Sequence, residues 1–262
     1  MTFTRRVSSC FSQFLGFANR SFNSYKLPGD PSSSPSLTYG IHIFHCPDEV
    51  GIVAKLSERI ASRGGNILGA DVFVPQNKNV FYSRSEFVFD PVRWPRKQMD
   101  EDFLKLSNMF SAIRSVARVP ALDPKFKIAV LASKQDHCLV DLLYGWQEGR
   151  LPVDITCVIR TYGKDVINIH HGLLPSFKGG NPCKQAFDAG VKLIGATSHF
   201  VTEELDSGPI IEQMVERVSH RDNLQSFVQK SENLEKQCLA KALRWYCELR
   251  VLPYEENRTV VF

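Results

Sequence analysis

The sequence predicts an α/β protein made of two successive units, and three observations carry that reading. Residues 37–120 hold three alternating apolar–polar strands separated by amphipathic helical stretches. From Phe126 to Ile159 a short apolar run, a helical stretch and a second apolar run follow in turn, the pattern of a βαβ unit. No run of about 18 apolar residues occurs, so these stretches belong to a globular core and not to a spanning helix. At 262 residues, 43% hydrophobic and 23% charged, the chain can bury one large core or two modest ones.

The net charge of +4 sits at one end. Residues 1–29 carry Arg5, Arg6, Arg20 and Lys26 and no acid, so the rest of the chain sums to zero. That excludes a basic nucleic-acid-binding body, which needs a surplus of phosphate-neutralising charge. Residues 1–36 are rich in Arg, Ser and Phe, and Asp30 is their first acid. This is the composition of an organellar presequence, mitochondrial in preference to chloroplast, ending in the linker PGDPSSSPS. The seven cysteines form no Cys-x-x-Cys pair, so neither a zinc ribbon nor a thioredoxin-type motif is expected. Scattered free thiols fit a reducing compartment.

LTYGIHIFHCPD alternates and ends at Pro47, a strand. Val50, Val53, Leu56 and Ile60 follow at helical spacing until Arg63-Gly64-Gly65 stops them. NILGADVFVPQ and VFYSRSEFVFD are the next strands, joined through a QNKN turn. Residues 99–117 read as a helix through Met99, Phe103, Leu106, Phe110 and Ile113, with a short strand at the end. This β-α-β-β-α order is a ferredoxin-like split unit.

The second unit, residues 121–262, opens with the strand FKIAVLAS, the helix DHCLVDLLYGWQEGR and the strand LPVDITCVI. No Gly-x-Gly-x-x-Gly follows its first strand, so no dinucleotide site is indicated. VINIHHGLLPSFKGGNP then begins as a strand and breaks at Gly172 and Pro175. Asn168, His170 and Gly172 alternate and are expected on one face. Asn181-Pro182 opens a short helix, KLIGATSHFVT is a strand, and an acidic loop with Asp206, Gly208 and Pro209 leads into another. A helix over 221–250 and the short tail TVVF close the chain.

These residues suit transfer of a carbonyl group. The Asn168 amide is a neutral donor for an oxyanion. His170 titrates near neutrality and can move protons. Asp206 can orient an imidazole, stabilise its cation or activate a water. No Gly-x-Ser-x-Gly and no suitably placed Cys supports a covalent route. A metal site from His170, His171, His199 and Asp206 is disfavoured, because neighbours on a strand face opposite ways. His171 reads as structural or as a support for its neighbour, and His199 as either functional or a hydrogen-bonded core histidine.

Asn168-Ile169-His170 followed by Leu174-Pro175, and His199-Phe-Val-Thr-Glu-Glu-Leu-Asp206-Ser-Gly-Pro, resemble the folate-dependent formyltransferase family in order and separation. The resemblance implies a Rossmann-like formyltransferase domain in which Asn168, His170 and Asp206 carry catalysis and His199 supports Asp206. It implies that the loop from Val201 to Gly208, with Val201, Thr202, Glu203 and Gly208 as binding positions, lies against the pterin. The strand before Asp48-Glu49-Val50-Gly51-Ile52-Val53 resembles an ACT regulatory domain over residues 37–120. There Asp48 and Gly51 would face a small amino-acid effector or a partner subunit, and edge-to-edge pairing would give a homo-oligomer. Alternatively, Gly51 only permits close helix–strand packing.

An ACT domain joined to this catalytic domain is similar to the deformylase branch of the family, as is His171 where the amine formyltransferases carry Pro. The branch implies hydrolysis of 10-formyltetrahydrofolate to formate and tetrahydrofolate, with no cofactor. The alternatives are a catalytically inactive regulatory or dimerising form and an amine-directed formyltransferase. One departure stands out. LPVDITCVI runs through Arg160-Thr161 almost directly into the catalytic strand, where the family has two further βα units, about 60 residues. Residues 160–165 are too few for a parallel crossover, so the parallel sheet is expected to be truncated and folate binding weakened.

Overall fold

The structure is a computed structural model that describes residues 36–76, 78–130, 137–157, 166–255 and 257–262. The expected presequence up to residue 35, with Cys10, lies outside the described residues, as do Asn77 of the QNKN turn, the end of the FKIAVLAS run and the Arg160-Thr161 junction.

The first unit runs β1 (Thr38–Cys46), α1 (Ile52–Ser62), β2 (Asn66–Phe73), β3 (Phe81–Phe89), α2 (Arg96–Met109) and β4 (Arg114–Arg118). Its antiparallel sheet has the order β2-β3-β1-β4, with Ile43 opposite both Arg84 and Val116. This is the split β-α-β-β-α-β order. Alternation sorts β1 into two faces. Phe44 and Cys46 meet Phe87, Phe89, Trp94 and the helices, while Ile41 and Ile43 meet Tyr82, Leu249 and Leu252. Both faces are therefore buried, the second by the C-terminal end of the same chain. Arg84, itself buried, donates to the Glu248 carbonyl (Nη2–O 3.2 Å) and ties the two units together.

Three expectations are corrected here. The buried stripe of α1 is Ile52, Leu56 and Ile60, not Val50 and Val53, because Gly51 at φ 95° caps the helix and leaves Val50 outside it in solvent. The helix expected over 99–117 ends at Met109. Ser111 at φ 49° breaks it, and the following residues pair with β1 as β4. The β2–β3 connection, 74–80, is also longer than the turn expected.

In the second unit β5 (Phe126–Ala129), α3 (His137–Gln147) and β6 (Val153–Cys157) form the expected βαβ, with Ile128 beside Ile155 in a parallel pair. β7 (Ile167–His170), α4 (Pro182–Asp188), β8 (Leu193–Phe200) and β9 (Ile210–Arg217) follow. Here the expectation of one truncated parallel sheet is corrected: β7-β8-β9 is antiparallel throughout and forms a separate sheet. The loop between β8 and β9 is too short for the crossover a parallel pair requires.

Helix α5 (Leu224–Cys247) packs against both sheets. Leu239 and Leu243 meet Leu142 and Val153, and Ala242 meets Phe200 and Ile211. Asn223 caps it by accepting from the Ser226 N–H at 2.9 Å. The helix is shorter than the 221–250 expected, since Leu249 turns left-handed at φ 54°. The tail is not loose: β10 (Val251–Tyr254) and β11 (Arg258–Val261) form a hairpin.

Candidate active site

The register of β7, β8 and β9 assembles one polar face. Asn168 lies opposite His199, His170 opposite Thr197, and Thr197 opposite Gln213. Residues directly opposite in a sheet share a face. Ser198 points the other way, its Oγ 3.4 Å from Cys238 Sγ on α5. Gly172, expected to extend the alternation, lies beyond the end of β7. A Cβ there would stand 3.1 Å from Pro182 Cβ and 3.2 Å from His170 Nε2, so a side chain at this position would press on the His170 ring.

His170 is buried between two acceptors. Its Nε2–H donates to the Phe177 carbonyl at 3.0 Å, since a carbonyl can only accept. Its Nδ1 stands 3.3 Å from Asp206 Oδ2. Burial lowers the proton affinity of His170, and His171 and His199 lower it further, against the pull of Asp206 and the Phe177 carbonyl. The ring is thus neutral near neutrality, and both acceptors hold a proton that it takes up.

Asp206 is also buried, in a left-handed conformation at φ 52°. Its Oδ2 accepts from the Gly179 N–H at 2.9 Å, which fixes the carboxylate from the opposite loop. Its Oδ1 is 3.9 Å from His199 Nε2. His199 donates from Nδ1 to the Phe200 carbonyl at 2.8 Å, which leaves Nε2, buried and without a hydrogen-bond partner, turned to Asp206. Asp206 therefore lies between two imidazoles, and Asn168 is exposed on the same face.

Residues not singled out from the sequence build the support. The hydroxyl of Thr197 donates to the Gly172 carbonyl (2.8 Å) and accepts from the Leu174 N–H (3.1 Å) and Gln213 Nε2 (3.0 Å). Gln213 also donates to the Leu174 carbonyl at 2.8 Å. The loop after His170 is thereby pinned to the sheet. The signal was available: Thr197 stands two residues before His199 and shares its face.

In the acidic loop, Val201, Thr202 and Glu203 are exposed beside buried Asp206. Gly208 has a backbone reason to be glycine, since a Cβ there would lie 1.7 Å from the Phe200 carbonyl oxygen. Lys178 Nζ reaches Ser207 Oγ at 2.5 Å and joins the two loops. Asp48 and Gly51 lie on the other unit, at the turn into α1. A Cβ on Gly51 would meet nothing within 4 Å, so close helix–strand packing is not why glycine stands there; the positive φ is. Among the described residues, no group of three or more His, Cys, Asp or Glu side chains could hold a metal ion. No helix among them is long and apolar enough to cross a membrane.

Comparison with known proteins places this face in context. Residues 156–243 match the formyl transferase family. Formyltetrahydrofolate deformylase 2, mitochondrial, of Arabidopsis thaliana is 60% identical over 326 residues, covering 98% of this chain and 99% of its own. The formyltetrahydrofolate deformylase of Synechocystis is 33% identical, over 83% of this chain and 96% of its own. Among solved structures, a formyltetrahydrofolate deformylase from Pseudomonas syringae pv. tomato superposes with a TM-score of 0.78 at 31% identity, over 99% of both chains. Likeness at this identity over nearly the whole chain, with the Asn168, His170 and Asp206 motifs in place, means that the chain belongs to the formyltetrahydrofolate deformylase family.

Proposed function

We propose that the chain hydrolyses 10-formyltetrahydrofolate to formate and tetrahydrofolate, with Asn168, His170 and Asp206 as its catalytic residues. The observation that carries this reading is the convergence of His170, Asp206 and His199 on the face that also bears Asn168. Water adds to the formyl carbon, and the carbonyl oxygen becomes an oxyanion that the Asn168 amide receives. The water gives up its proton to the His170–Asp206 pair, and the pair returns it to N10 as the C–N bond breaks. To reach the substrate, His170 Nε2 leaves the Phe177 carbonyl and the ring proton passes to Nδ1, where Asp206 Oδ2 accepts it, so that Nε2 is free to take the proton of the water. His199 supports Asp206. Val201, Thr202, Glu203 and Gly208 line the folate side, and no cofactor takes part.

Residues 37–120 form an ACT domain, with Asp48 and Gly51 as the positions for a small amino-acid effector. The β-α-β-β-α-β order supports this. Residues 121–262 form the catalytic domain, and its β5-α3-β6 unit, with a parallel strand pair, supports a Rossmann-like origin for that part. β2 is an edge strand that exposes Leu68 and Val72, which supports pairing into a homo-oligomer. Residues 1–36 direct the chain to the mitochondrion, a reading supported by the name of the Arabidopsis relative. That alignment is longer than this 262-residue chain, so the relative has residues without a counterpart here. The short step from β6 to β7, and the separation of the two sheets, support placing the missing segment there. Its loss removes one wall of the folate pocket and weakens binding.

The test is tetrahydrofolate formation from 10-formyltetrahydrofolate without any amine acceptor, with His170→Ala as the blank. Turnover above the blank is expected. No turnover from a folded chain would move it to the regulatory form, and turnover only with an added amine would make it a formyltransferase.

A further inference from the structure

Helix α5 lays a regular stripe on the sheet: Ser231, Glu235, Cys238 and Ala242, all buried. An ionised carboxylate in such a stripe is costly unless it is paired and hydrogen-bonded. Glu235 is 2% exposed, and both of its oxygens are engaged. Oε2 stands 2.7 Å from His171 Nδ1, and Oε1 accepts from the Ser231 hydroxyl at 2.8 Å. His171 is 40% exposed and immediately follows His170. Its main-chain carbonyl faces Cys183 Sγ at 3.7 Å, from α4.

We propose that Glu235 is a positioning residue for the reaction: by gripping His171 it fixes the end of β7, and with it the ring of His170 against Asp206. The inference rests on the proposed hydrolysis for its catalytic meaning, but the grip is a property of the fold. His170 has Thr197 opposite it in the sheet, and its ring contacts come from loops. The strand itself ends at His170, and beyond it Thr197 and Gln213 pin the chain at Gly172 and Leu174. The His171–Glu235 pair adds a hold at the residue next to His170, from the helix behind the sheet. A carboxylate serves better than a neutral partner because a charge-assisted bond is shorter and about twice as strong. The bond from Glu235 raises the proton affinity of His171 more than burial lowers it, with smaller contributions from Asp206 and Glu232. Among the described residues, the charged and titratable groups that act on the pair include His170, Asp206, Glu232, Cys138 and Cys183.

The experiment uses the full chain with isotope-labelled histidine, comparing wild type, Glu235→Gln and Ser231→Ala. Glu235→Gln keeps the volume and removes the charge. The expected results are a fall of His171's titration toward the ordinary histidine value, altered ring-nitrogen shifts of His170, and a drop in kcat of about 10–100-fold with KM changed less than about twofold. Ser231→Ala, a milder change, should lower kcat about fivefold. Unmoved His170 shifts in Glu235→Gln, or loss of kcat and KM only in proportion to loss of folded protein, would overturn the proposal. If Glu235→Gln does not fold, unchanged kcat and unchanged His170 shifts in Ser231→Ala would do so. A wild-type chain without turnover would refute the hydrolysis, while the His170 and His171 signals would still decide the grip.

Discussion

Thr197→Val tests how the loop behind the site is held. Valine matches threonine in shape, so the change leaves no cavity and removes one hydroxyl. That hydroxyl donates to the Gly172 carbonyl at 2.8 Å and accepts from the Leu174 N–H at 3.1 Å, both inside the protein. The third partner, Gln213, is exposed and can turn to water. A buried N–H left without an acceptor costs about 1–3 kcal/mol, and the carbonyl, which has a second lone pair, adds about 1 kcal/mol. The loop should therefore lose about 2–4 kcal/mol of local stability. Because every 1.4 kcal/mol is about tenfold, protection of the Leu174 amide against hydrogen exchange should fall roughly 30- to 1000-fold. Amides of the first unit, such as Ile43, should be unchanged. A fall of less than about threefold at Leu174 would mean that the hydroxyl does not carry the loop.

Asn168→Ala should lower kcat about 10²–10³-fold and His170→Ala about 10²–10⁴-fold, measured as tetrahydrofolate formation. Normal turnover in either would refute the assigned role. Gly208→Ala drives a Cβ to 1.7 Å from a main-chain oxygen that cannot step aside, since Phe200 N is bonded to the Pro209 carbonyl at 2.9 Å. Turnover should fall at least about 100-fold while the far-ultraviolet spectrum stays that of a folded chain. His42 is buried against Phe103, and burial pushes its pKa down to about 3. Below pH 6.5 the unfolded chain therefore takes up a proton that the folded chain refuses, so stability is full above pH 6.5 and falls as pH drops toward 3, by up to about 1.4 kcal/mol per unit. Urea melts of His42→Phe between pH 6.5 and 4.5 should show a slope shallower than wild type by that amount, and equal slopes would refute it.

Much of this molecule could be read in the sequence because its strands alternate and its breaks are marked. Gly64-Gly65 ends α1, and Asn181-Pro182 opens α4 with Pro at its first turn, as local chemistry dictates. The errors have a common cause. Phe110 and Ile113 continue the helical period of α2, yet Ile113 is exposed and its N–H bonds to the His45 carbonyl at 2.8 Å. A pairing to β1, distant in sequence, won over local spacing. The hairpin of β10 and β11 has no local signal for a related reason: TVVF is a strand only because Val251 and Leu252 lie beside it. Strand direction was illegible too. Apolar periodicity says which face is buried, not which neighbour a strand takes, so the antiparallel course of β7-β8-β9 appeared only in three dimensions.

The candidate site residues come together because the face that carries them is built locally. The contacts that set His170, Asp206 and His199 come from Phe177, Gly179, Phe200 and one another, all within the stretch from β7 to β9. A short antiparallel sheet with two loops over one end brings these groups together without help from β5 or β6. The polar side chains therefore lie close enough in sequence to form recognisable motifs. The same locality separates two tasks. In the proposed reaction, proton transfer and oxyanion stabilisation fall to this compact stretch, whereas holding a ligand as large as a folate needs walls from elsewhere in the fold. On the proposed placement of the missing segment between β6 and β7, its loss affects the second task first. Its effect belongs in KM, while the arrangement of His170 against Asp206, gripped from behind through His171 and Glu235, stays as the local contacts set it.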